Sequence, residues 1–242
     1  MSKIKSFSLV VLLLTAVFTF SCSNNDDGDG SSSSVGGVSS SSGGDGVYGT
    51  PVTYGNETYE TVVIGTQTWF KRNLNYNPSA GNSWCYGDEE YYDPEDALTD
   101  SEIQANCVKY GRLYDWATAM TVCPSSFHLP TNADWNKLIN YAGEYLTAGI
   151  KLKATEGWMS YEGEGGNGTN DYGFSALPGG CRATTDPYGG CLEVGYGGHW
   201  WSADEYDSDS DAAYYQGISL FEYTHQSYRG KGFGFSVRCL KD

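Results

Sequence analysis

Residues 58–70, TYETVVIGTQTWF, give the clearest indication of how this chain folds. The runs 58–64 and 67–70 are rich in β-branched and aromatic side chains, and Gly65 and Thr66 lie between them. Two such runs around a short glycine-containing turn predict a β-hairpin. This hairpin is the earliest regular element that the sequence predicts.

Two helices are predicted after the hairpin. Residues 111–120 place apolar side chains at helical spacing, which predicts a short amphipathic helix. These apolar side chains are Leu113, Trp116, Ala117 and Met120. A clearer helix follows Pro130, because Thr131 can cap it and Asp134 stands in the capping-box position. The apolar face of this second helix is predicted to comprise Trp135, Leu138, Ile139, Ala142 and Leu146.

Beyond residue 150 the chain has the composition of short strands separated by glycine-rich turns. The predicted strands are 174–177, 200–203, 213–219 and 233–240. Helices that come early, followed by short strands, indicate an α+β fold class. No internal repeat is visible in the sequence.

The composition excludes several classes of function. The 242 residues include 32 glycines, 20 tyrosines and 7 tryptophans, an abundance that favours strands, turns and loops over a coiled coil. Aspartate and glutamate number 30 against 14 lysines and arginines, which gives a formal net charge of −16. Such a chain has too few basic groups to bind nucleic acid, and an acidic membrane surface would repel it.

The N-terminal region resembles a lipoprotein signal followed by a tether. Residues 1–21 combine a basic start with an apolar run too short to span a bilayer, and Cys22 follows a small residue, as in a lipobox. We expect a signal peptide over 1–21, acylation of Cys22, and a Ser/Gly/Asp-rich tether over 22–47. The alternative is an ordinary secretory signal with a chance cysteine.

The residues after Cys22 suggest a location. Three acidic residues there resemble the export signal that carries lipoproteins of some gut bacteria to the cell surface; they are Asp26, Asp27 and Asp29. The expected location is therefore the bacterial outer membrane, lipid-anchored and surface-exposed. A plain solvated linker is the alternative interpretation of the same residues.

The cysteine count fits an oxidising compartment. Without Cys22, six of the seven cysteines remain, and an even number suggests three disulfides. Cys181 and Cys191 flank a turn rich in glycine. Cys85 and Cys107 flank an acidic, tyrosine-rich excursion, and Cys123 is left to pair with Cys239. Other pairings remain open, and a zinc site is disfavoured because no CxxC spacing occurs.

Six segments of the sequence together resemble one protein family. They are 61–69 (TVVIGTQTW), 73–76 (NLNY), 110–116 (YGRLYDW), 123–131 (CPSSFHLPT), 198–203 (GHWWSA) and 234–239 (GFSVRC). In this order they resemble the Fibrobacter succinogenes major paralogous domain family. Its members are mostly secreted or lipid-anchored bacterial proteins, and generally have no assigned activity. The resemblance implies that residues 48–242 form one such domain.

The segments 128–131 and 234–239 are also similar to the formylglycine-generating enzyme group. This resemblance implies a C-type-lectin-like fold with two helices, short antiparallel sheets and long loops. In that fold the N- and C-terminal strands pair, and a loop-rich half carries the ligand surface.

The residues that these relatives use for catalysis are missing. The copper-binding enzymes use a close pair of C-terminal cysteines, whereas Cys239 stands alone. The iron-binding relatives use a histidine-rich helix, whereas no two of His128, His199 and His225 lie within helical reach. No catalytic residues are therefore predicted. A cryptic secreted hydrolase remains an alternative, because glycoside hydrolysis needs only two carboxylates.

An acidic segment late in the chain raises the question of calcium. Asp207, Asp209 and Asp211 alternate like the start of an EF-hand loop. Ala212 and Ile218 stand where that loop needs glycine and glutamate, which excludes an EF-hand. We predict no cofactor, with a looser calcium site on these three aspartates as the alternative to a solvated acidic loop.

Aromatic side chains near the C-terminus suggest a ligand surface. Between residues 204 and 231, tyrosines alternate irregularly with small polar and acidic residues, a mixture typical of binding surfaces. The candidate ligand-binding residues are Tyr206, Tyr214, Tyr215, Tyr223, His225 and Tyr228. We expect a surface-anchored binding module for an extracellular glycan, polysaccharide or protein. The alternatives are that tyrosine merely suits exposed strands, or that the chain is a structural envelope protein without a soluble ligand.

Overall fold

A computed structural model describes residues 47–88, 98–183 and 194–242 of the chain. The predicted signal peptide, Cys22 and residues 22–46 of the predicted tether lie outside the described residues. The described residues form a mixed α/β fold with few helices and several antiparallel sheets. Within these ranges, no helix combines the length and the apolar character needed to cross a bilayer.

The described residues contain thirteen strands and four helices. The strands are β1 (Val47–Tyr48), β2 (Val52–Tyr54), β3 (Glu57–Tyr59), β4 (Thr61–Ile64), β5 (Gln67–Phe70), β6 (Ser83–Trp84), β7 (Leu113–Tyr114), β8 (Phe127–His128), β9 (Gly197–Glu205), β10 (Ala212–Ser219), β11 (Thr224–Gly230), β12 (Phe235–Ser236) and β13 (Leu240–Lys241). The helices are α1 (Asp100–Tyr110), α2 (Trp116–Ala119), α3 (Asn132–Ala142) and α4 (Ala148–Leu152).

The first sheet joins early strands to the last strand of the chain. Its strand order is β1-β4-β5-β13-β8. β4 and β5 pair antiparallel around Gly65 and Thr66, so the predicted hairpin is confirmed. β13 lies between β5 and β8, where Leu240 is opposite both Trp69 and His128. The early hairpin and the C-terminal strand therefore belong to one sheet.

The second sheet carries the candidate ligand residues. Its strand order is β11-β10-β9-β12-β7-β6, and all pairs are antiparallel except β9 with β12. The strands predicted at 200–203 and 213–219 lie within β9 and β10. β11 forms from residues that the sequence patterns did not assign to a strand. A separate two-stranded ribbon consists of β2 and β3.

The second predicted helix is confirmed as α3. Thr131 accepts a hydrogen bond from the backbone N–H of Asp134, and the Asp134 side chain accepts from the Thr131 backbone, which completes a capping box. The four predicted face residues within α3 are buried; they are Trp135, Leu138, Ile139 and Ala142. Leu146 differs, because α3 ends at Ala142, with Gly143 as its C-cap, and Leu146 is 70% exposed.

Two other local predictions are wrong. The helix predicted over 111–120 contracts to the four-residue α2, because Gly111 ends the preceding helix α1 at a φ of 80° and Leu113 then enters β7. In β7, Leu113 pairs with Ser236, a contact that local spacing cannot reveal. The strand predicted at 174–177 is only an isolated bridge between Ala176 and Lys153.

A buried arginine connects distant parts of the core. Arg238 is fully buried, and its guanidinium donates hydrogen bonds to Asn73 Oδ1 at 3.1 and 2.8 Å, to the Phe70 carbonyl at 3.1 Å and to the Phe174 carbonyl at 2.6 Å. The Trp200 indole N–H also donates to Asn73 Oδ1, at 2.8 Å. Burial lowers the pKa of Arg238 to about 9.

Disulfides join further segments. The predicted bonds Cys85–Cys107 and Cys123–Cys239 are both present. The Cys123–Cys239 bond joins residues 116 positions apart, next to Arg238 in the sequence, whereas the Cys85–Cys107 bond joins residues 22 positions apart. Cys181 is also disulfide-bonded, and its predicted partner Cys191 lies outside the described residues.

Candidate functional site

Three of the predicted ligand residues form one group, the tyrosine cluster, which consists of Tyr206, Tyr214 and Tyr228. The β10–β11 ladder places Tyr214 opposite Tyr228, and Tyr206 follows β9. The Tyr206 ring stacks on Tyr228 with centroids 3.7 Å apart and planes 6° apart, and meets Tyr214 edge-on at 5.4 Å. Tyr228 is 44% exposed. The cluster is therefore an ordered aromatic surface that solvent reaches.

Carboxylates surround the tyrosine cluster. Loss of hydration is the main cause that raises the pKa of Tyr214, and the nearby negative charge of Asp207 raises it further. A hydrogen bond with Tyr206 raises the pKa of Tyr228. Both hydroxyls therefore stay protonated at physiological pH, so they can donate hydrogen bonds as well as accept them.

The acidic loop, Asp207 to Asp211, adjoins the tyrosine cluster. Asp207, Asp209 and Asp211 are exposed, and the Asp209 carboxylate accepts a hydrogen bond from the Asp211 backbone N–H at 2.9 Å. In the part of the chain that the structure describes, no three side chains of histidine, cysteine, aspartate or glutamate form a group that could hold a metal. Calcium binding by this loop stays a prediction.

Tyr215 and His225 do not belong to the tyrosine cluster. Tyr215 is only 5% exposed and packs in the core against Phe235, with ring centroids 4.7 Å apart. Because side chains alternate along a strand, Tyr214 and Tyr215 point to opposite faces of β10. The half-buried His225 ring lies 5.9 Å from Tyr215, on the same side of the sheet. The assignment of Tyr215 to the ligand surface is therefore corrected: it is a core residue.

His199 shares the buried face with Tyr215. It lies opposite Gly217 on β10, and Gly217 lies opposite His225 on β11, so the two imidazoles flank one glycine. A side chain at Gly217 would collide with the His225 ring. Burial lowers the pKa of His199 to about 3, and the neighbouring His225 contributes to this lowering. The burial of His199 and its lowered pKa together indicate that it is an uncharged core residue.

Tyr223 belongs to a second surface, the aromatic row, which consists of Tyr145, Tyr223 and Phe221. Tyr145 lies between α3 and α4, and the other two residues lie in the turn between β10 and β11. Consecutive ring centroids are 6.2 and 6.0 Å apart, and the ring planes differ by only 25° and 13°. The rings are 52%, 38% and 39% exposed in the order Tyr145, Tyr223, Phe221. Solvent therefore reaches all three rings.

A buried lysine lies beneath the aromatic row. Lys153 is 1% exposed, and its ammonium donates hydrogen bonds to the carbonyls of Gly166 at 2.6 Å, Leu220 at 2.7 Å and Phe221 at 3.0 Å. All three ammonium protons thus have acceptors. Burial lowers the pKa of Lys153 to about 8, while the charge of Glu222 opposes this change. Lys153 therefore fixes the turn that carries two of the three rings.

Sequence patterns missed part of this second surface. Tyr145 lies 78 positions before Tyr223, and no local periodicity connects them. Phe221 belongs to the aromatic-rich C-terminal segment, but nothing in that segment separates it from buried neighbours. The only local signal for Lys153 is its position between the apolar residues Leu152 and Ala154, which is unusual for an exposed lysine.

Comparison with known proteins gives one finding. A sequence model described as Fibrobacter succinogenes major domain (Fib_succ_major) matches residues 62–241. This range includes the tyrosine cluster, the aromatic row, Lys153 and Arg238. No curated protein and no solved structure matches the chain.

Proposed function

Since the chain belongs to the Fibrobacter succinogenes major domain family, we propose that it is an extracytoplasmic binding module, held at the bacterial outer-membrane surface by lipid on Cys22. The lipobox-like sequence before Cys22 and the acidic residues after it support this location. The disulfides Cys85–Cys107 and Cys123–Cys239 also support it, because such bonds persist in oxidising compartments.

We infer that the fold is C-type-lectin-like. The insertion of β13 between β5 and β8 supports this inference, because that fold pairs its N- and C-terminal strands. The two 11-residue helices, α1 and α3, match the number of helices expected to flank the sheets. Only four isolated β-bridges and the short α4 interrupt the loops from Gly143 to Arg182.

The tyrosine cluster is the observation that supports a glycan ligand best. Tyrosine faces pack against the C–H faces of sugar rings, and neighbouring carboxylates accept hydrogen bonds from sugar hydroxyls. Tyr228 offers such a face, and Asp207 and Asp209 are exposed nearby. Because Tyr206 stacks on Tyr228, the outer ring is already held in place before a ligand arrives.

A basic protein is the second candidate ligand. The acidic loop beside the tyrosine cluster would attract a positively charged partner, and tyrosines commonly supply binding energy in protein interfaces. The two ligand classes respond differently to salt. Binding of a basic protein should weaken as ionic strength rises, whereas binding of a neutral glycan should not.

A glycan array with the full chain tests the proposal. We expect binding to at least one neutral glycan, and the double change Tyr214→Ala with Tyr228→Ala should weaken that binding by about tenfold or more. Tyr48→Ala is the matched control, because Tyr48 is 69% exposed on the first sheet, outside both aromatic surfaces. Its affinity should equal that of the parent chain.

Three outcomes would count against the proposed function. An array without any bound glycan would remove glycan recognition, and equal affinity of the double variant would remove the tyrosine cluster as the site. Release of soluble sugars from a bound polysaccharide, lost on a single carboxylate change, would instead favour the hydrolase alternative.

A further inference from the structure

Cations that lie over aromatic rings recur throughout the described part of this chain. The whole sequence has only 14 lysines and arginines, yet eight of them lie 4.2 to 6.0 Å from the centroid of an aromatic ring. The face of such a ring is electron-rich and attracts positive charge. Four tyrosines are covered in this way; they are Tyr48, Tyr59, Tyr110 and Tyr215.

The tyrosine cluster has no cation of this kind. Within the ranges that the structure describes, no lysine or arginine lies over one of its three rings. Arg229 follows Tyr228 in β11, but side chains alternate along a strand, and its guanidinium lies over Tyr215 on the other face of the sheet. Lys231 lies over Trp116. The cations nearest in sequence therefore leave the cluster uncovered.

One ring face of the tyrosine cluster is directed outward. Tyr206 stacks on Tyr228 with ring planes 6° apart, and Tyr228 is nevertheless 44% exposed. The open face is the side of the Tyr228 ring that Tyr206 does not cover. Among the described residues, no second aromatic ring packs against Tyr228. A ligand therefore meets the cluster at this face, and the stacked pair of rings holds it in position.

Negative charge adds to the attraction of the ring. Besides loss of hydration, the charges of Asp207 and Asp204 raise the pKa of Tyr214. Besides a hydrogen bond within the cluster, the charge of Asp209 raises the pKa of Tyr228. The carboxylates thus lie close enough to the rings to act on them electrostatically, and they would act on a positively charged ligand in the same way, with favourable sign.

We propose that the tyrosine cluster prefers glycans that carry free amino groups, and that it holds the sugar ammonium over the open face, with Asp207 and Asp209 as the opposing charges. This inference rests on the proposed function, because it names the class of sugar that the same site binds. The ammonium takes the place that Lys71 has over Tyr48, and so gives the cluster the cation that the chain itself supplies to other rings.

Other ligands match the site less well. An anionic sugar would be repelled by the carboxylates, and a neutral sugar would gain only the contact of its C–H face with the ring. A basic protein also carries ammonium groups, but a stable protein interface takes about 20–30 residues on each side, many more than the tyrosine cluster and the acidic loop contain. A single amino sugar matches one open ring face with charges beside it.

Titration of the full chain with two matched oligosaccharides tests this inference. Glucosamine hexamer carries free amino groups, which are positively charged at about pH 5.5, whereas in N-acetylglucosamine hexamer the same groups are acetylated and neutral. We expect the glucosamine hexamer to bind at least about tenfold more tightly at low ionic strength. The preference should shrink in about 0.5 M salt, because salt screens the charges.

Two variants place the preference at the tyrosine cluster. Asp207→Asn with Asp209→Asn removes two charges but keeps an acceptor oxygen in each side chain, so we expect it to abolish the preference while binding of the neutral hexamer stays unchanged. Tyr228→Ala removes the open face and should weaken the binding of both hexamers.

Glu162→Gln with Glu164→Gln is the matched control. It changes the net charge of the chain by the same amount, at two exposed side chains. These glutamates lie near Gly166, whose N–H donates to the Leu220 carbonyl at 2.9 Å, next to the β10–β11 turn. The turn is at the other end of the β10–β11 hairpin from the tyrosine cluster. The control should therefore keep the full preference for glucosamine hexamer.

The outcomes separate this inference from the proposed function. A preference that the parent and the control share, and that Asp207→Asn with Asp209→Asn loses, supports the inference. Equal binding of the two hexamers by the parent overturns it and leaves the proposed function intact, because a neutral glycan is still bound. A parent that binds neither hexamer also overturns it, and the proposed function fails only if the glycan array is empty as well.

Two further results would overturn the inference. If the preference survives in both the aspartate variant and Tyr228→Ala, the overall formal charge of −16 accounts for it rather than the tyrosine cluster. Hexalysine carries a similar number of amino groups. If it binds more tightly than glucosamine hexamer and loses affinity in the same variants, the ligand of the cluster is a basic protein and not an amino sugar.

Discussion

Arg238 and Lys153 are both buried cations that donate to oxygen acceptors of the protein, yet they act on different regions. Arg238 connects Phe70, Asn73 and Phe174, residues that lie far from it in sequence. Lys153 connects the Gly166 carbonyl to Leu220 and Phe221 in the β10–β11 turn beneath the aromatic row. One cation therefore stabilises the scaffold, and the other stabilises a surface.

The chemistry of the two side chains explains the division. The planar guanidinium of Arg238 has five N–H donors in fixed directions, so one residue can reach partners from several elements. The ammonium of Lys153 is compact and has three donors, which suits carbonyls that converge on one point. The ionic acceptors that usually accompany buried cations are replaced here by backbone carbonyls and one amide oxygen.

The largest expected effect is that of Arg238→Met. The change removes the Arg238 donors from the buried carbonyls of Phe70 and Phe174, and each unsatisfied group costs about 1–3 kcal/mol. It also leaves Asn73 Oδ1 with the Trp200 indole N–H as its remaining donor. We expect the free energy of unfolding in urea to fall by about 3–5 kcal/mol.

Arg72→Met is the matched control for Arg238→Met. Arg72 pairs with Glu57 at 2.7 Å near the surface, and removal of an exposed ion pair costs about 1 kcal/mol or less. If the two variants were equally stable, Arg238 would not have the scaffold role assigned to it.

Lys153→Met should have a smaller and more local effect. We expect a loss of about 2 kcal/mol in the free energy of unfolding, because three carbonyls lose one shared donor. Amide hydrogen exchange should accelerate at Gly166, Thr224 and their neighbours but not in β5 and β13. The control Lys151→Met changes a partly exposed lysine within α4, two residues before Lys153. Uniform acceleration throughout the chain would contradict a local role.

The smallest expected effect on the free energy of unfolding comes from His199. Unlike Arg238 and Lys153, which are buried as cations, His199 is buried in its uncharged form. Its pKa is about 3 in the folded chain against 6.5 when unfolded, so between these values the unfolded chain binds more protons. Stability must therefore fall as pH decreases through this window, by about 1 kcal/mol between pH 7 and 5.5 from this residue.

His199→Gln should reduce that acid sensitivity in urea titrations at the two pH values. His128→Gln, at a side chain that is 40% exposed, should retain it. An unchanged pH dependence in His199→Gln would mean that other groups account for the acid sensitivity.

Local patterns predicted the elements whose causes are local. The hairpin around Gly65 and the capped helix after Thr131 were both correct, because turn chemistry and capping act over a few residues. The helix over 111–120 was wrong, because Leu113 pairs with Ser236 of the distant strand β12, a contact that local spacing does not reveal.

The candidate site was predicted only in part for a similar reason. Of the six candidate residues, the structure brings Tyr206, Tyr214 and Tyr228 together, while their role in ligand binding stays a prediction. The irregular composition of the C-terminal segment gave no period, so the sequence could not distinguish the two faces of β10, and Tyr215 was placed on the wrong face.

The sequence by itself determined the family, the early hairpin and the capped helix, because motifs, turns and caps are written in neighbouring residues. It suggested the bonds Cys85–Cys107 and Cys123–Cys239 but left other pairings open, and the structure decided between them. Tertiary structure alone decided which rings face solvent, that Tyr145 joins Tyr223, and that Lys153 and Arg238 are buried. Those outcomes depend on contacts between residues far apart in the chain, where packing and hydrogen-bond satisfaction outweigh local preference.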